Sequence, residues 1–190
     1  GNFFTNTPDI LPFALQEGGR PIFKIRFILA ATLSSVYGIY SGFELCENAA
    51  IPGKEEYLNS EKYEYKVWDW NRHGNIKDYI ARVNHIRRTN AAFHEYDNLR
   101  FYPADNEKVL FYGKKSSDQK NIVFVIVNLD SYHVQQSYVE MPLQELGLAD
   151  QAVYRVQDLI TGEIYLWKGR RNFVVLDPLK EPAHILRIIG

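Results

Sequence analysis

The chain has 190 residues, 46% of them hydrophobic, which is enough for the packed core of one large or two small domains and excludes wholesale disorder. The formal net charge is −1, and the sequence is near neutral on both sides of residue 97, which argues against nucleic acid or an anionic membrane as a partner. Cys46 is the only cysteine, which excludes an intramolecular disulfide and suits a reducing, cytoplasmic compartment.

No apolar run is long enough to span a bilayer. The start, Gly1-Asn2-Phe3-Phe4, has neither the basic region nor the apolar core of a signal peptide. There is no initiator Met, Met141 being the only one, and the sequence opens inside a strand-like run. Both features lead us to expect a fragment of a longer protein.

In chain order, residues 2–6 read as a short aromatic strand that breaks at Thr7-Pro8-Asp9. Gly18-Gly19-Arg20-Pro21 marks a helix start, with Pro21 in the first turn, where its missing N–H costs nothing. Residues 22–33 are apolar nearly all round, the pattern of a helix buried in a large body. Residues 36–40 predict a second buried strand, running into the loop Ser41-Gly42-Phe43-Glu44. Residues 47–74 form a long irregular stretch whose Tyr and Trp content argues against disorder. A helix then runs from an Asn75 N-cap to about His94, with Ile76, Tyr79, Ile80, Val83 and Ile86 on one stripe.

Beyond Leu99 the pattern changes. Seven short strand-like runs, at 109–112, 122–129, 134–141, 153–159, 163–167, 173–176 and 183–189, predict an antiparallel sandwich. The first part, strand-helix-strand-loop-helix, implies a parallel sheet, and two strands cannot form one alone. The expected fold class is therefore α+β: residues 1–97 as the last βα units of a (β/α)8 TIM barrel, and residues 98–190 as a β-sandwich. The apolar faces of the helix at 22–33 and the strand at 36–40 would then be left uncovered. The chain is expected either to pack them against the sandwich or to self-associate, a homodimer among the outcomes.

Barrel active sites gather at the C-terminal ends of the strands, where Asp9 and Glu44 fall. Asp9, beside Asn6 and Thr7, has two readings: a carboxylate for sugar hydroxyls, or the acceptor of an Asx-turn. Glu44 and Glu47 could be the paired carboxylates of a glycosidase, but holding loops by hydrogen bonds is the favoured role. Cys46 has no base nearby in sequence, so a Cys–His dyad is disfavoured. The five histidines show no paired ligand spacing, so no metal and no cofactor are expected. The segment Tyr57-Leu58-Asn59-Ser60-Glu61-Lys62-Tyr63 mixes flat aromatic faces with polar groups, which suits a sugar or simply pins a loop. Arg87-Arg88 and Lys114-Lys115 read as solvated faces.

Residues 2–11, from Asn2-Phe3-Phe4 through Thr7-Pro8-Asp9-Ile10-Leu11, resemble the seventh-strand motif of the α-1,4-glucan:maltose-1-phosphate maltosyltransferases, a branch of glycoside hydrolase family 13. Three further stretches agree in order: Gly19-Arg20-Pro21 with Arg26 and residues 30–33, residues 38–48, and residues 56–63. The resemblance covers most of residues 2–73. The later, β-rich part is similar only in type to the amylase C-terminal domain.

The resemblance implies retaining transfer of maltosyl from maltose-1-phosphate to an α-1,4-glucan, with release of phosphate, in a bacterial enzyme of glycogen metabolism. The nucleophile and the acid/base would lie on earlier strands. Asp9 matches the third family carboxylate, which stabilises the oxocarbenium-like transition state. Lys62, with Tyr63 and Asn6, falls where the family contacts sugar. Pro8 stands where most of the superfamily has His, which disfavours an ordinary α-amylase. Two other readings remain: a hydrolase or transglycosidase of the same superfamily, distinguished by phosphate release, and a stand-alone carbohydrate-binding sandwich, distinguished by glucan binding to residues 98–190 alone.

Overall fold

The computed structural model of the chain describes residues 1–59 and 65–189. Strand β1 (Phe3–Phe4) pairs in parallel with β2 (Tyr37–Gly38), with Phe3 opposite Tyr37 and Phe4 opposite Gly38. Helices α1 (Phe13–Glu17) and α2 (Gly19–Leu33) connect them, making a βαβ crossover. Both strands are shorter than the predicted 2–6 and 36–40. With only each other as partner among the described residues, they carry little ladder beyond that register.

The sequence pattern missed α1, which is little more than one turn. Helix α2 begins at the double glycine as predicted and buries Phe23, Ile25, Phe27, Ile28, Ala30 and Ala31. Helix α3 (Lys77–Thr89) buries Tyr79, Val83 and Ile86, three members of the predicted stripe. It starts two residues after Asn75, whose Oδ1 accepts from the Lys77 N–H at 3.2 Å. One 3-10 turn, Ala91–His94, follows it.

The remainder is antiparallel. A six-stranded sheet has the order β3 (Leu99–Phe101), β4 (Val109–Lys115), β5 (Ile122–Asn128), β10 (Ala183–Ile189), β7 (Val153–Asp158), β8 (Ile164–Lys168). Strands β6 (Gln135–Glu140) and β9 (Arg171–Leu176) form a second, two-stranded sheet. Side chains alternate between the two faces of a strand. On β5, Val123, Val125 and Val127 join the core beneath α2 and α3, whereas Phe124 and Ile126 join the core shared with β6 and β9. The fold thus has three layers: helices, a six-stranded sheet, and a two-stranded sheet.

Of the two outcomes expected for α2, this layering shows packing against the sandwich. The apolar face of α2 is covered, because the helix lies on β5 and against α3. Apolar exposure falls instead on the β1–β2 flank, at Phe3, Phe4 and Val36.

The basic pairs also need correction, because one member of each is turned inward. Arg87 donates to the carbonyls of Ala31, Ser34 and Ser35, where the last turn of α2 leaves acceptors without helical partners. Its guanidinium also stacks on the Tyr37 ring at 4.7 Å. Lys114 is 1% exposed and donates to the Glu95 carbonyl at 3.1 Å.

Burial pushes the Lys114 ammonium down from the ordinary 10.5 to about 8. The unfolded lysine holds its proton up to its ordinary value, so between these two values the unfolded state binds more protons and stability rises with pH. Below pH 8 the full cost of burying the charge is present. The chain is therefore expected to gain stability relative to Lys114→Met between pH 8 and 10.5. Urea unfolding across that window measures this, and a constant difference would contradict it.

Among the described residues, no helix is long and apolar enough to cross a membrane.

Candidate active-site region

The C-terminal ends of β1 and β2 are tied by one buried side chain. Asn6, 2% exposed, accepts at Oδ1 from the Thr5 hydroxyl at 2.8 Å and from the Tyr40 N–H at 3.2 Å. Its Nδ2 donates to the Tyr57 hydroxyl. Asn6 therefore joins the first strand end, the second strand end and a loop 51 residues away. Tyr57 is itself buried, and burial pushes its phenol up to about 12, so it stays neutral. Arg26 on α2 donates to the Thr5 carbonyl, fixing the strand end from the helix side. These bonds use Oδ1 twice and one of the two Nδ2 hydrogens of Asn6.

The turn that follows projects Asp9. Thr7 and Ile10 exchange backbone hydrogen bonds, both 3.3 Å, so Pro8 and Asp9 form the tip. An Asx-turn would have the Asp9 carboxylate accept from the N–H of Leu11. That N–H donates instead to the Glu55 carbonyl at 2.7 Å. The Asp9 carboxylate is exposed and has no hydrogen bond or ion pair to a described residue. Its backbone is held by the bonds of Asn6, Arg26 and Glu55.

The second strand end carries Glu44 in a 3-10 turn, Phe43–Leu45. Its Oε2 accepts from the Gly42 N–H at 3.1 Å, and its carbonyl accepts from Ile76 at 2.8 Å. Gly42 has φ +99°, and a Cβ there would meet the Trp68 ring at 2.8 Å, so this turn requires glycine. Glu47 pairs with Arg72 at 2.7 Å and accepts from the Ala49 N–H. Both acids hold loops, the role favoured from sequence. Burial pushes the Cys46 thiol up to about 11, which disfavours a thiolate nucleophile.

Of the predicted site residues, Asn6 and Asp9 come together on one turn, while Lys62 and Tyr63 lie outside the described residues. Sequence reading missed Tyr40 and Arg26. Nothing local marks Tyr40; Arg26, a charge on an otherwise apolar helix, was the available signal. Among the described residues, no group of His, Cys, Asp or Glu is arranged to hold a metal ion.

The fold is that of the corresponding part of α-amylases. The whole chain superposes on 39% of the α-amylase from Geobacillus thermoleovorans complexed with acarbose, with a TM-score of 0.71 at 13% identity. It also superposes, over 97% of its length, on 40% of AmyP in complex with maltose, with a TM-score of 0.66 at 15% identity. Sequence narrows this class. Residues 101–188 match the family described as "GLGE, C-terminal". The chain is 56% identical, over 98% of its length, to an α-1,4-glucan:maltose-1-phosphate maltosyltransferase of Rhodospirillum rubrum. It is 48% identical, over 96% of its length, to that of Myxococcus xanthus. By sequence, then, this chain is similar over nearly its whole length to part of the α-1,4-glucan:maltose-1-phosphate maltosyltransferases. It spans about 27% of the length of these relatives.

Proposed function

We propose that residues 1–97 are the closing βα units of a (β/α)8 catalytic barrel and residues 98–190 the sandwich that follows it, in an enzyme that moves maltosyl from α-maltose-1-phosphate to the non-reducing end of an α-1,4-glucan. The observation that carries this reading is the 56% identity over 98% of the chain to a protein named for that reaction. The parallel crossover of β1 and β2 and the exposed Asp9 carboxylate, without a partner among the described residues, in the turn after β1 support it.

In this reading an Asp on an earlier strand attacks C1 of the donor, the C1–O bond to phosphate breaks, and phosphate leaves with a proton given by a Glu. The 4-hydroxyl of the glucan then attacks C1, releasing the Asp, and its proton passes to a Glu. Asp9 binds sugar hydroxyls and stabilises the positive charge that develops on the ring. Asn6 sets the backbone that carries Asp9. Lys62 and Tyr63 are proposed to contact the donor sugar.

The longer protein is expected to release phosphate from maltose-1-phosphate in step with growth of an added glycogen acceptor. Reducing sugar without phosphate dependence would favour a hydrolase and contradict the proposal. The 190-residue chain alone is expected to release none, since the nucleophile and the acid/base lie outside it; phosphate release by the purified chain would contradict that.

A further inference from the structure

The long stretch after β2 contains a hairpin that the sequence pattern left irregular. Ala50 bridges Tyr57 in the antiparallel sense. The Ile51 N–H donates to the Glu56 carbonyl at 2.9 Å, and the Leu58 N–H to the Ala49 carbonyl at 2.9 Å. At the tip the Lys54 N–H donates to the Ile51 carbonyl at 3.0 Å, with Pro52 and Gly53 between them. Gly53 has φ +75°, and proline followed by a positive-φ glycine suits a type II turn.

This one hairpin grips both legs of the Asp9 turn. Before the turn, the Tyr57 hydroxyl accepts from Asn6 Nδ2. After it, the Glu55 carbonyl accepts from the Leu11 N–H at 2.7 Å, and Glu55 Oε1 accepts from the Phe13 N–H at 2.9 Å. Gln16 on α1 bridges the two segments, donating from Nε2 to the carbonyls of Leu11 and Lys54, both at 2.9 Å.

Tyr57 is the buried member of this clasp. At 2% exposed it offers no ring face to a sugar, and its ring packs on Tyr40 with centroids 5.7 Å apart. Its hydroxyl decides which way the Asn6 amide points. With Nδ2 on that oxygen, Oδ1 is left to accept from the Tyr40 N–H. The reversed amide would set Nδ2 against the Tyr40 N–H, donor against donor. Without the hydroxyl, Nδ2 is a buried donor that has lost its acceptor, and the tie between the two strand ends loosens.

We infer that Tyr57 is a positioning residue: through Asn6 it sets the Asp9 carboxylate where the sugar ring needs it. This role rests on the one proposed for Asp9 and deepens it. A catalytic group displaced by about 1 Å costs up to about a hundredfold in rate.

The test is a double-mutant cycle in the longer protein, with kcat and KM taken from phosphate release. Tyr57→Phe keeps the ring and removes the hydroxyl. It is expected to lower kcat by about tenfold to a hundredfold, with KM changed less than about twofold. In an Asp9→Ala background the same change is expected to cost less than about twofold, because the group it positions is gone. A merely structural loss costs the same factor in both backgrounds; that result, or an unchanged kcat in Tyr57→Phe, would overturn this role. A second measurement needs no turnover. In the 190-residue chain, Tyr57→Phe is expected to speed hydrogen exchange at the Tyr40 and Ile10 amides by about tenfold relative to those of β5. Unchanged relative rates would also overturn it. Maltosyl transfer with equal losses in both backgrounds removes this role and keeps the proposed function. Hydrolysis of α-glucan without phosphate dependence, with the loss confined to protein that carries Asp9, keeps this role and removes the proposed function.

Discussion

Replacing Asp9 with asparagine in the longer enzyme is expected to lower kcat by about a hundredfold to a thousandfold, the range found when one group facing developing charge is removed. Asparagine keeps the shape and hydrogen-bonding reach of the side chain but removes its negative charge. That charge matters most when the sugar ring is positive, so kcat and kcat/KM should fall together, with little change in KM. Folding should be unaffected, because the carboxylate is exposed and has no partner among the described residues. Steady-state phosphate release and a melting curve measure both parts. Asn6→Ala is a useful contrast, because it breaks the buried tie between the two strand ends and should lower stability as well as turnover.

The second large effect concerns how the helices are fastened to the sandwich. Lys24 on α2 lies 3.6 Å from Glu181, in the loop before β10, and donates to the Lys180 carbonyl at 2.8 Å. Tyr79 on α3 donates to the other Glu181 oxygen at 2.6 Å, and its ring lies under the Lys24 ammonium at 4.6 Å. Burial pushes the Lys24 ammonium down and the Glu181 carboxyl up, so for both groups desolvation outweighs their mutual attraction. The pair is therefore a constraint on geometry more than a source of net stability. Glu181→Gln leaves the ammonium buried without its counter-charge and is expected to cost about 3 kcal/mol. The double replacement Lys24→Met with Glu181→Leu should recover most of that loss. Urea midpoints at unchanged slope measure both. A double variant no more stable than Glu181→Gln would contradict this account.

Much of the fold could be read from the sequence because its signals are local. The short apolar runs of β5 and β10, the stripe Tyr79, Val83, Ile86, and the glycine-proline start of α2 each predict an element without reference to distant residues. Strand length on β1 and β2 was less legible, since pairing ends where the partner ends. The inward turn of Arg87 and Lys114 was not legible either. Their surroundings are carbonyls of Ala31, Ser34, Ser35 and Glu95, which only the folded chain brings near. The site divides the same way. Asp9 follows a strand and a proline and could be picked from sequence. The Asn6–Tyr57 contact that supports it spans 51 residues and could not.

The central claim is that the Asp9 carboxylate meets sugar in a barrel completed by the rest of the enzyme. A crystal structure of the longer protein with maltose bound tests this most directly. The account predicts an Asp9 carboxylate oxygen about 2.7 Å from a sugar hydroxyl, with Asn6 still bonded to Tyr40 and Tyr57. Maltose held in a barrel pocket while Asp9 points into solvent would contradict it.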